Sequence, residues 1–258
     1  MISCCGLHKS YGTNGASGPS ILADVSLSLS RGEFACILGP SGCGKTTLLN
    51  LIAGFTHPTS GSLRFRDQKI TGPGPERGVV FQEATLFPWL TVLKNVEFGL
   101  QQQGKPGKTC AEEALHHLEL VGMADQATAY PHTLSGGMKQ RVAIARVLAL
   151  EPDVLLMDEP FSALDANTRE RLQDELLKLW GKFGQTVVYV THSVEEAAFL
   201  ADRVIVMGPS PCNIRADKPI GLPRPRARYS PEMEEVVRDL RRELNALPCC
   251  IRPTRVDT

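Results

Sequence analysis

The fold is decided by the stretch Phe34-Ala35-Cys36-Ile37-Leu38-Gly39-Pro40-Ser41-Gly42-Cys43-Gly44-Lys45-Thr46-Thr47. Its first five residues form a short, continuously apolar run, which is typical of a fully buried strand. The following residues match the pattern G-x-x-x-x-G-K-[ST] in full, between a strand and a helix, where this motif belongs. The alternative is a glycine turn that contains a lysine by chance, which would match the motif without the flanking strand and helix. We therefore predict a phosphate-binding loop.

The chemistry expected of this loop follows from its backbone. Glycines let successive N–H groups surround phosphate oxygens, and the N-terminus of the following helix adds a positive dipole. Lys45 would reach the β- and γ-phosphates of a nucleotide, and the Thr46 hydroxyl would bind Mg²⁺. The predicted nucleotide-binding residues of the loop are Gly39, Pro40, Ser41, Gly42, Cys43, Gly44, Lys45, Thr46 and Thr47.

Apolar strands and helices alternate outward from the loop. The first stretch, residues 1–38, is strand-rich, and a helix should begin within 44–47 and end near Gly54. Further strands are predicted at 21–29, 61–65, 78–82, 154–157, 186–190 and 203–207, and helices at 137–150, 166–183 and 193–201. A helix-rich region from about Thr91 to Gly122 is interrupted at 104–107. Helices between continuously apolar strands indicate a parallel sheet covered on both faces.

Prolines mark the last part of the chain. Five of them, at positions 209, 211, 219, 223 and 225, predict an irregular connection. A last helix should start at Ser230-Pro231, an N-cap followed by proline. Its apolar stripe, expected to pack on the body of the domain, comprises Met233, Val236, Val237, Leu240, Leu244 and Leu247.

A second chemical motif is the run Val154-Leu155-Leu156-Met157-Asp158-Glu159. The apolar strand places two carboxylates at its C-terminal end, where open α/β sheets bind their ligands. Asp158 suits the oxygen-rich shell of Mg²⁺. Glu159 could activate the attacking water as a general base. Taken alone, the two acids could equally form a helix-capping loop, but the phosphate-binding loop favours the catalytic interpretation.

A third motif, Leu134-Ser135-Gly136-Gly137-Met138-Lys139-Gln140-Arg141, forms another anion-binding helix start. Here the chain resembles the nucleotide-binding subunits of ATP-binding cassette (ABC) transporters, with Met138 where many members carry glutamine. The remaining family motifs follow in order: the Q-loop Gln82, the D-loop Ser162-Ala163-Leu164-Asp165, the switch His192 after Thr191, and Tyr11 where an aromatic usually stacks on adenine. Tyr11 could also be an ordinary surface aromatic and His192 an ordinary loop residue.

The resemblance implies an α/β ABC-type P-loop ATPase that binds ATP and Mg²⁺. Its parallel-sheet core would carry an N-terminal antiparallel β subdomain and an α-helical signature subdomain at about 91–145. The cassette would span 1–208, and a C-terminal extension with a terminal helix would span 209–258. It also implies a head-to-tail dimer with a second copy or a paralogous cassette. Ser135, Gly136 and Gly137 of one copy would then contact the ATP held by the other. The catalytic residues would be Lys45, Gln82, Glu159 and His192, and the Mg²⁺ ligands Thr46, Gln82 and Asp158.

Composition narrows the possible partners and location. The 258 residues carry 28 Lys and Arg and 28 Asp and Glu, and a zero formal net charge argues against a nucleic-acid partner. The sequence contains neither a run of about 18 to 20 apolar residues that would span a bilayer nor a secretory signal. The eight cysteines lack C-x-x-C spacing and include the adjacent pairs Cys4-Cys5 and Cys249-Cys250, so we expect reduced thiols. We expect a peripheral protein on the cytoplasmic face of the inner membrane.

Three kinds of ABC protein remain: a motor for separate membrane subunits, an exporter with fused spans, and an ATPase acting on DNA or ribosomes. One cassette without spans favours the first. Segments 72–82, 86–92 and 222–226 resemble the nitrate/sulfonate/taurine importers, although Cys212-Asn213 replaces that group's usual turn. This implies membrane permease subunits, a periplasmic solute-binding protein and an oxyanion solute. The alternatives are a motor for another small organic solute and a soluble ATPase uncoupled from transport.

The segment Phe87-Pro88-Trp89-Leu90 is a candidate partner surface. Exposed apolar clusters tend to mark interaction sites. In the family, this segment lines a groove that receives a short helix of the membrane subunit. The alternative is that Trp89 fills the core of the helical region.

Overall fold

The computed structural model describes residues 1–12 and 18–246, which divide into two compact units. The first unit contains Met1–Ser30, Ala35–Thr71 and the chain from Val190 onward, and the second contains Arg31–Phe34 and Gly72–Tyr189. Leu247 of the predicted apolar stripe and the pair Cys249-Cys250 lie outside the described residues. The predicted boundaries of the cassette, its helical subdomain and its extension remain predictions.

Apolar runs and capping residues set the limits of the elements. The strands are β1 (Ile2–Ser10), β2 (Ser20–Leu29), β3 (Phe34–Leu38), β4 (Ser60–Phe65), β5 (Gln68–Lys69), β6 (Arg77–Val80), β7 (Val154–Asp158), β8 (Thr186–Thr191), β9 (Arg203–Met207) and β10 (Ile214–Pro219). The helices are α1 (Lys45–Ala53), α2 (Val92–Gln102), α3 (Gly107–Leu120), α4 (Gly136–Leu148), α5 (Ala166–Phe183), α6 (Val194–Leu200) and α7 (Pro231–Asn245).

The first unit contains an antiparallel sheet and a parallel strand pair. The antiparallel sheet has the order β2-β1-β4-β5, as the fold class requires of its N-terminal β subdomain. Strands β3 and β9 run parallel, with Ala35 opposite Arg203 and Leu38 opposite Val206. All five residues of β3 are buried. This confirms that the apolar run before the loop is a core strand.

The second unit repeats the parallel arrangement and adds most of the helices. Strands β6 and β7 run parallel, with Arg77 opposite Val154 and Val80 opposite Met157. Helices α2, α3 and α4 pack against one another in this unit. The prediction of parallel strands alternating with helices is therefore confirmed in both units.

Two predictions about the strands were wrong. The strand predicted for 78–82 ends at Val80, so Gln82 lies in the following loop. The proline-rich stretch is not wholly irregular, because it contains β10, which pairs antiparallel with β9. Along β10, half-buried and exposed residues alternate, and Pro219 occupies its last position. An edge strand tolerates proline there, since the missing N–H removes no ladder bond from the sheet interior.

The C-terminal helix packs on the first unit as predicted. Ser230 caps α7, and its Oγ accepts a hydrogen bond from the Met233 N–H at 3.2 Å. Met233 and Leu240 are buried, and α7 packs against α6. Lys218 of β10 pairs with Asp239 of α7 at 3.1 Å. Among the described residues of the predicted apolar stripe, only Met233 and Leu240 are buried. The contact of α7 with the first unit is therefore narrow.

The segment before α7 is fastened to the end of α6 by arginine side chains. Arg226 Nη1 donates to the carbonyls of Ala198, Phe199 and Ala201 at 3.0, 3.1 and 2.6 Å. The last carbonyls of a helix have no partner within it, so a guanidinium there both supplies hydrogen bonds and complements the helix dipole. Burial lowers the pKa of Arg226 to about 10, which leaves it charged at neutral pH.

We expect Arg226→Ala to lower the free energy of unfolding by about 3 kcal/mol. The variant loses hydrogen bonds from a charged donor, and the carbonyls at the end of α6 lose that donor. Chemical denaturation measures this value. Arg238→Ala is the matched control, since Arg238 is exposed on α7 and alanine favours helix. Equal stability of the two variants would contradict a capping role for Arg226.

Candidate functional site

The predicted phosphate-binding loop joins β3 to α1 in the first unit. Gly44 adopts φ +109°, in the left-handed region, and a Cβ built there would lie 2.9 Å from Leu22 Cδ2. At Gly39, an added Cβ would lie 2.9 Å from the Met207 carbonyl oxygen. Glycine is therefore required at both positions, by backbone conformation at one and by close approach at the other.

Lys45 is buried at the start of α1 and turns back over the loop. Its Nζ donates to the Gly39 and Pro40 carbonyls at 2.9 and 3.1 Å. Helix α1 has no side-chain cap at Gly44, and the next side chain, Thr46, is exposed. The first turn of α1 therefore has no side-chain cap at Gly44, and its backbone N–H groups suit an anionic ligand.

Tyr11 and His192 also belong to the first unit. Tyr11 follows β1 and is half exposed, with Lys9 Nζ 4.9 Å from its ring centroid. His192 is exposed directly after β8. Its backbone is held on both sides, because Ser193 N donates to Thr191 Oγ1 at 3.0 Å and Ser193 caps α6.

A buried carboxylate supports the position of His192, and sequence analysis missed it. Thr191 Oγ1 donates to Glu196 Oε2 at 2.5 Å, and the Glu196 N–H donates to Ser193 Oγ at 3.2 Å. The S-x-x-E spacing of Ser193 and Glu196 is the signature of a capping box, and it could have identified this arrangement. Here the Glu196 carboxylate accepts a hydrogen bond from the Thr191 hydroxyl, and the hydroxyl oxygen accepts one from the Ser193 N–H.

Asp158 and Glu159 lie in the second unit, where β7 ends. Both are half buried. Glu159 adopts φ +44°, an uncommon conformation for a residue with a side chain. Its carbonyl accepts hydrogen bonds from Ser162 N at 3.2 Å and from Ser162 Oγ at 2.9 Å. Backbone strain held by neighbouring hydrogen bonds tends to occur at functional sites.

The signature motif starts α4 as expected. Ser135 is the N-cap, with its Oγ accepting from Met138 N at 3.3 Å. Gly137 is buried, and a Cβ there would lie 3.0 Å from Thr168 Cγ2 of α5. The start of α4 lines a cavity of about 320 Å³, together with Arg141 and Arg171. Asp125 also lines this cavity, and Arg141 donates to Glu175 at 2.7 Å and to the Val121 carbonyl at 2.9 Å, so the cavity contains charges of both signs.

Helix α4 also holds the loop that carries Gln82, through residues that sequence reasoning missed. Gln140 Nε2 donates to the Phe81 carbonyl at 3.3 Å. Arg146 Nη1 donates to the Thr85 carbonyl at 3.1 Å. Gln82 is exposed between these two anchored residues. No sequence pattern connects these partners, because they are about 60 positions apart.

An aromatic patch, defined here as Phe87, Trp89 and Phe98, lies on the second unit. Trp89 is 71% exposed, which contradicts the alternative that it fills the core. Its ring centroid lies 5.6 Å from that of Phe87, which in turn is 4.7 Å from that of Phe98. Asn95 is fully buried and donates to the carbonyls of Phe87, Leu90 and Thr91. Asn95 therefore holds the backbone of the segment that carries Phe87 and Trp89.

The predicted site residues divide between the units. The loop 39–47, Tyr11 and His192 belong to the first unit, and Gln82, Asp158, Glu159 and the signature 135–137 to the second. In the part of the chain that the structure describes, no helix has the length and apolarity needed to cross a membrane.

These motifs on an α/β fold define an ABC-type ATPase, and the comparisons with known proteins agree. The ABC transporter family model matches residues 22–162, and the chain belongs to this family. The chain is 53% identical to a taurine import ATP-binding protein of Roseobacter denitrificans, over 76% of this chain and 73% of that protein. It is 50% identical to a nitrate import ATP-binding protein of Synechocystis sp., over 78% and 76%. These relatives match the importer group suspected from the sequence.

A solved structure supports the same assignment. An ATP-binding cassette determined as a dimer in a post-hydrolysis state with ADP and Pi superposes with a TM-score of 0.75. The two are 33% identical, and the match covers 85% of this chain and 99% of the other. The fold class is confirmed, and the chain is an ATP-binding ATPase of the ABC family.

Proposed function

We propose that this chain is the ATP-hydrolysing subunit of an importer that takes up a small oxyanion, either taurine or another alkanesulfonate, or nitrate. The observation that carries the proposal is the identity of 50% or more to taurine and nitrate import ATP-binding proteins over about three quarters of the chain. A motor for another small organic solute is the nearest alternative.

The nucleotide would be held first by the phosphate-binding loop. The Lys45 ammonium contacts two loop carbonyls and would exchange them for β- and γ-phosphate oxygens. The open first turn of α1 would supply N–H groups, and Tyr11 would stack on the adenine. The exposed Thr46 hydroxyl, Asp158 and Gln82 are the hard oxygen donors that fit Mg²⁺. Bound Mg²⁺ would neutralise charge on the phosphates.

Hydrolysis would depend on Glu159 and His192. Glu159 would accept a proton from the attacking water, and the Ser162 hydrogen bonds fix the backbone from which it extends. His192, held by Thr191 and Ser193, would contact the γ-phosphate region. The D-loop residue Asp165 caps α5 by accepting the Thr168 N–H at 3.0 Å, and this hydrogen bond lowers the pKa of Asp165.

A complete site would require two cassettes. Ser135, Gly136 and Gly137 form a second anion-binding helix start, and the cavity beside them contains Arg141 and Arg171. In a head-to-tail dimer, this start would contact the γ-phosphate of ATP held by the loop of the other copy. ATP binding would close the dimer, and hydrolysis would reopen it. The second cassette is a copy of this chain or a paralogue.

The membrane partners follow from the aromatic patch. An exposed set of aromatic rings is the kind of anchor that often dominates an interface. We propose that the patch receives a short helix of an integral membrane permease at the cytoplasmic face. The permease would in turn receive solute from a periplasmic binding protein.

We expect Trp89→Ala to abolish co-purification with the permease subunits, since truncating an aromatic anchor typically costs about 2 kcal/mol or more of binding energy. Tyr229→Ala is the matched control, because Tyr229 is similarly exposed but lies in the other unit. The isolated Trp89→Ala subunit should keep its melting temperature and its ATP affinity. A large loss of stability would show instead that Trp89 supports the fold.

The same variants test transport when the complex is reconstituted in membrane vesicles. ATP-driven taurine uptake, lost with Trp89→Ala and kept with Tyr229→Ala, would support the proposal. Uptake of nitrate instead would retain the importer and select its solute. An active ATPase that joins no permease and drives no uptake would favour the soluble class.

A further inference from the structure

An arginine of α5 is hydrogen-bonded to the backbone of the turn 161–165, which contains the D-loop. Arg169 Nε donates to the Phe161 carbonyl at 3.2 Å, and its Nη2 donates to the Leu164 carbonyl at 2.7 Å. A longer bond, at 3.5 Å, joins Nη2 to the Ser162 carbonyl. A planar guanidinium, with several donors in a fixed geometry, suits such a group of carbonyl oxygens. One side chain therefore holds the turn at three points.

The place of Arg169 on α5 explains how its side chain reaches this turn. Side chains of a helix lean toward its N-terminus, and Arg169 lies near the start of α5. Its guanidinium therefore extends back over the residues that precede the helix. A cation near the start of a helix opposes the helix dipole, which favours anions there. The charge of Arg169 thus does not serve the helix dipole, and its donors face the preceding turn.

Other contacts fix the two ends of the turn. The Phe161 side chain is fully buried, and its ring centroid lies 6.2 Å from that of Tyr189 in β8. At the other end, Asp165 caps α5. Between these ends, the Leu164 N–H donates to the Phe161 carbonyl at 3.2 Å. Arg169 adds its three hydrogen bonds to the part of the turn that lies between the anchors.

The turn borders two parts of the proposed site. Ser162 donates to the Glu159 carbonyl through its N–H at 3.2 Å and through its Oγ at 2.9 Å. On the other side, a Cβ built on Gly136 of the signature motif would lie 3.6 Å from Leu164 Cδ2. Two of the residues whose carbonyls Arg169 binds therefore contact Glu159 and the start of α4.

We propose that Arg169 is a positioning residue for ATP hydrolysis: by holding the turn 161–165, it keeps Glu159 in the conformation from which its carboxylate reaches the attacking water. This inference rests on the proposed function, in which Glu159 accepts the proton of that water. Without the guanidinium, three carbonyls lose a donor and the turn is free to change conformation. The phosphate-binding loop keeps its own contacts through Lys45. Hydrolysis and ATP binding should therefore respond differently to the loss of Arg169.

The first test compares kcat and ATP affinity in the purified full-length chain. We expect Arg169→Ala to lower kcat by about 10 to 100-fold, because a misplacement of about 1 Å can cost about 100-fold. Its ATP affinity should stay at the parental value. Arg169→Lys should lie between the two, since an ammonium keeps the charge but not the planar set of donors. Lys178→Ala is the matched control, because Lys178 is an exposed cation on the same helix, and it should keep the parental kcat.

A double variant tests whether Arg169 acts through Glu159. In the Glu159→Gln background there is no base left to position, so adding Arg169→Ala should lower the single-turnover rate little further. The same fold loss in both backgrounds would show that Arg169 acts independently of Glu159, and would overturn the proposal. An unchanged kcat in Arg169→Ala, with a rate that does depend on Glu159, would also overturn it.

Amide hydrogen exchange reports the turn without any catalysis. The N–H groups of Ser162 and Leu164 should exchange faster in Arg169→Ala than in the parent chain, and at the parental rate in Lys178→Ala. A lower kcat without faster exchange in 161–165 would contradict the proposal. If Arg169→Ala does not fold, as judged by circular dichroism, Arg169→Lys takes its place in each measurement.

The proposed function fails in a different way. If Glu159→Gln hydrolyses ATP at the parental rate, the base assigned there is wrong, whatever the result for Arg169. The exchange measurement would then still show whether Arg169 holds the turn.

Discussion

Replacing Glu159 with glutamine should reduce ATP hydrolysis by about 10² to 10⁴-fold, because a positioned general base contributes that much to the rate. Glutamine keeps the shape and the hydrogen-bonding reach of the side chain but cannot accept the proton of the attacking water. ATP binding should therefore persist, and the variant should accumulate as an ATP-bound dimer. Phosphate release under saturating ATP measures the rate, and size-exclusion chromatography with and without ATP measures the dimer.

The control for this variant is Glu112→Gln, which removes one carboxylate from the exposed face of α3. It should hydrolyse ATP at the parental rate. Lys45→Ala gives a third pattern, since losing the ammonium should weaken nucleotide binding itself. If Glu159→Gln retains the parental rate, another group activates the water.

A mixture of Lys45→Ala and Ser135→Arg chains should recover activity that neither variant has alone. In a head-to-tail dimer of the two, one site loses both contributions and the other keeps both. Random pairing of equal amounts therefore restores about a quarter of the sites, and each variant alone should fall at least about 100-fold. The positive charge and bulk of arginine block the exposed start of α4 without entering the phosphate-binding loop.

This experiment requires that both chains fold and that they form mixed dimers. Circular dichroism checks the first condition, and co-elution of differently tagged chains checks the second. Recovery proportional to the mixed-dimer fraction supports a shared site. Mixed dimers without any recovered activity would contradict it.

The sequence predicted the core well because buried parallel strands leave a simple pattern. The bounds of β3, β9 and α5 agree with the predicted ranges, since each is an apolar run or a periodic segment with a clear end. The sequence also predicted the end of one helix and the start of another. Gly54 follows α1 in the left-handed conformation, and Ser230 caps α7. These features depend on neighbouring residues only.

The missed features depend on tertiary contacts. Strand β10 alternates weakly and lies among prolines, so only its pairing with β9 defines it. Gln140 and Arg146 hold the Gln82 loop from a helix some 60 residues further along the chain. No local sequence pattern predicts a contact over that separation. The roles proposed for the individual site residues stay predictions until the variants are measured.

Helix α4 contacts both the loop that carries Gln82 and the aromatic patch. It begins at Ser135, where the ATP of a partner cassette would be sensed, and it grips the loop 81–85 at two points through Gln140 and Arg146. Arg146 also lies over the Phe87 ring of the aromatic patch, with its guanidinium carbon 5.6 Å from the ring centroid. A rotation of α4 would therefore also move the loop and the patch. Under the proposed function, α4 would couple the nucleotide at its start to the permease contact at the aromatic patch.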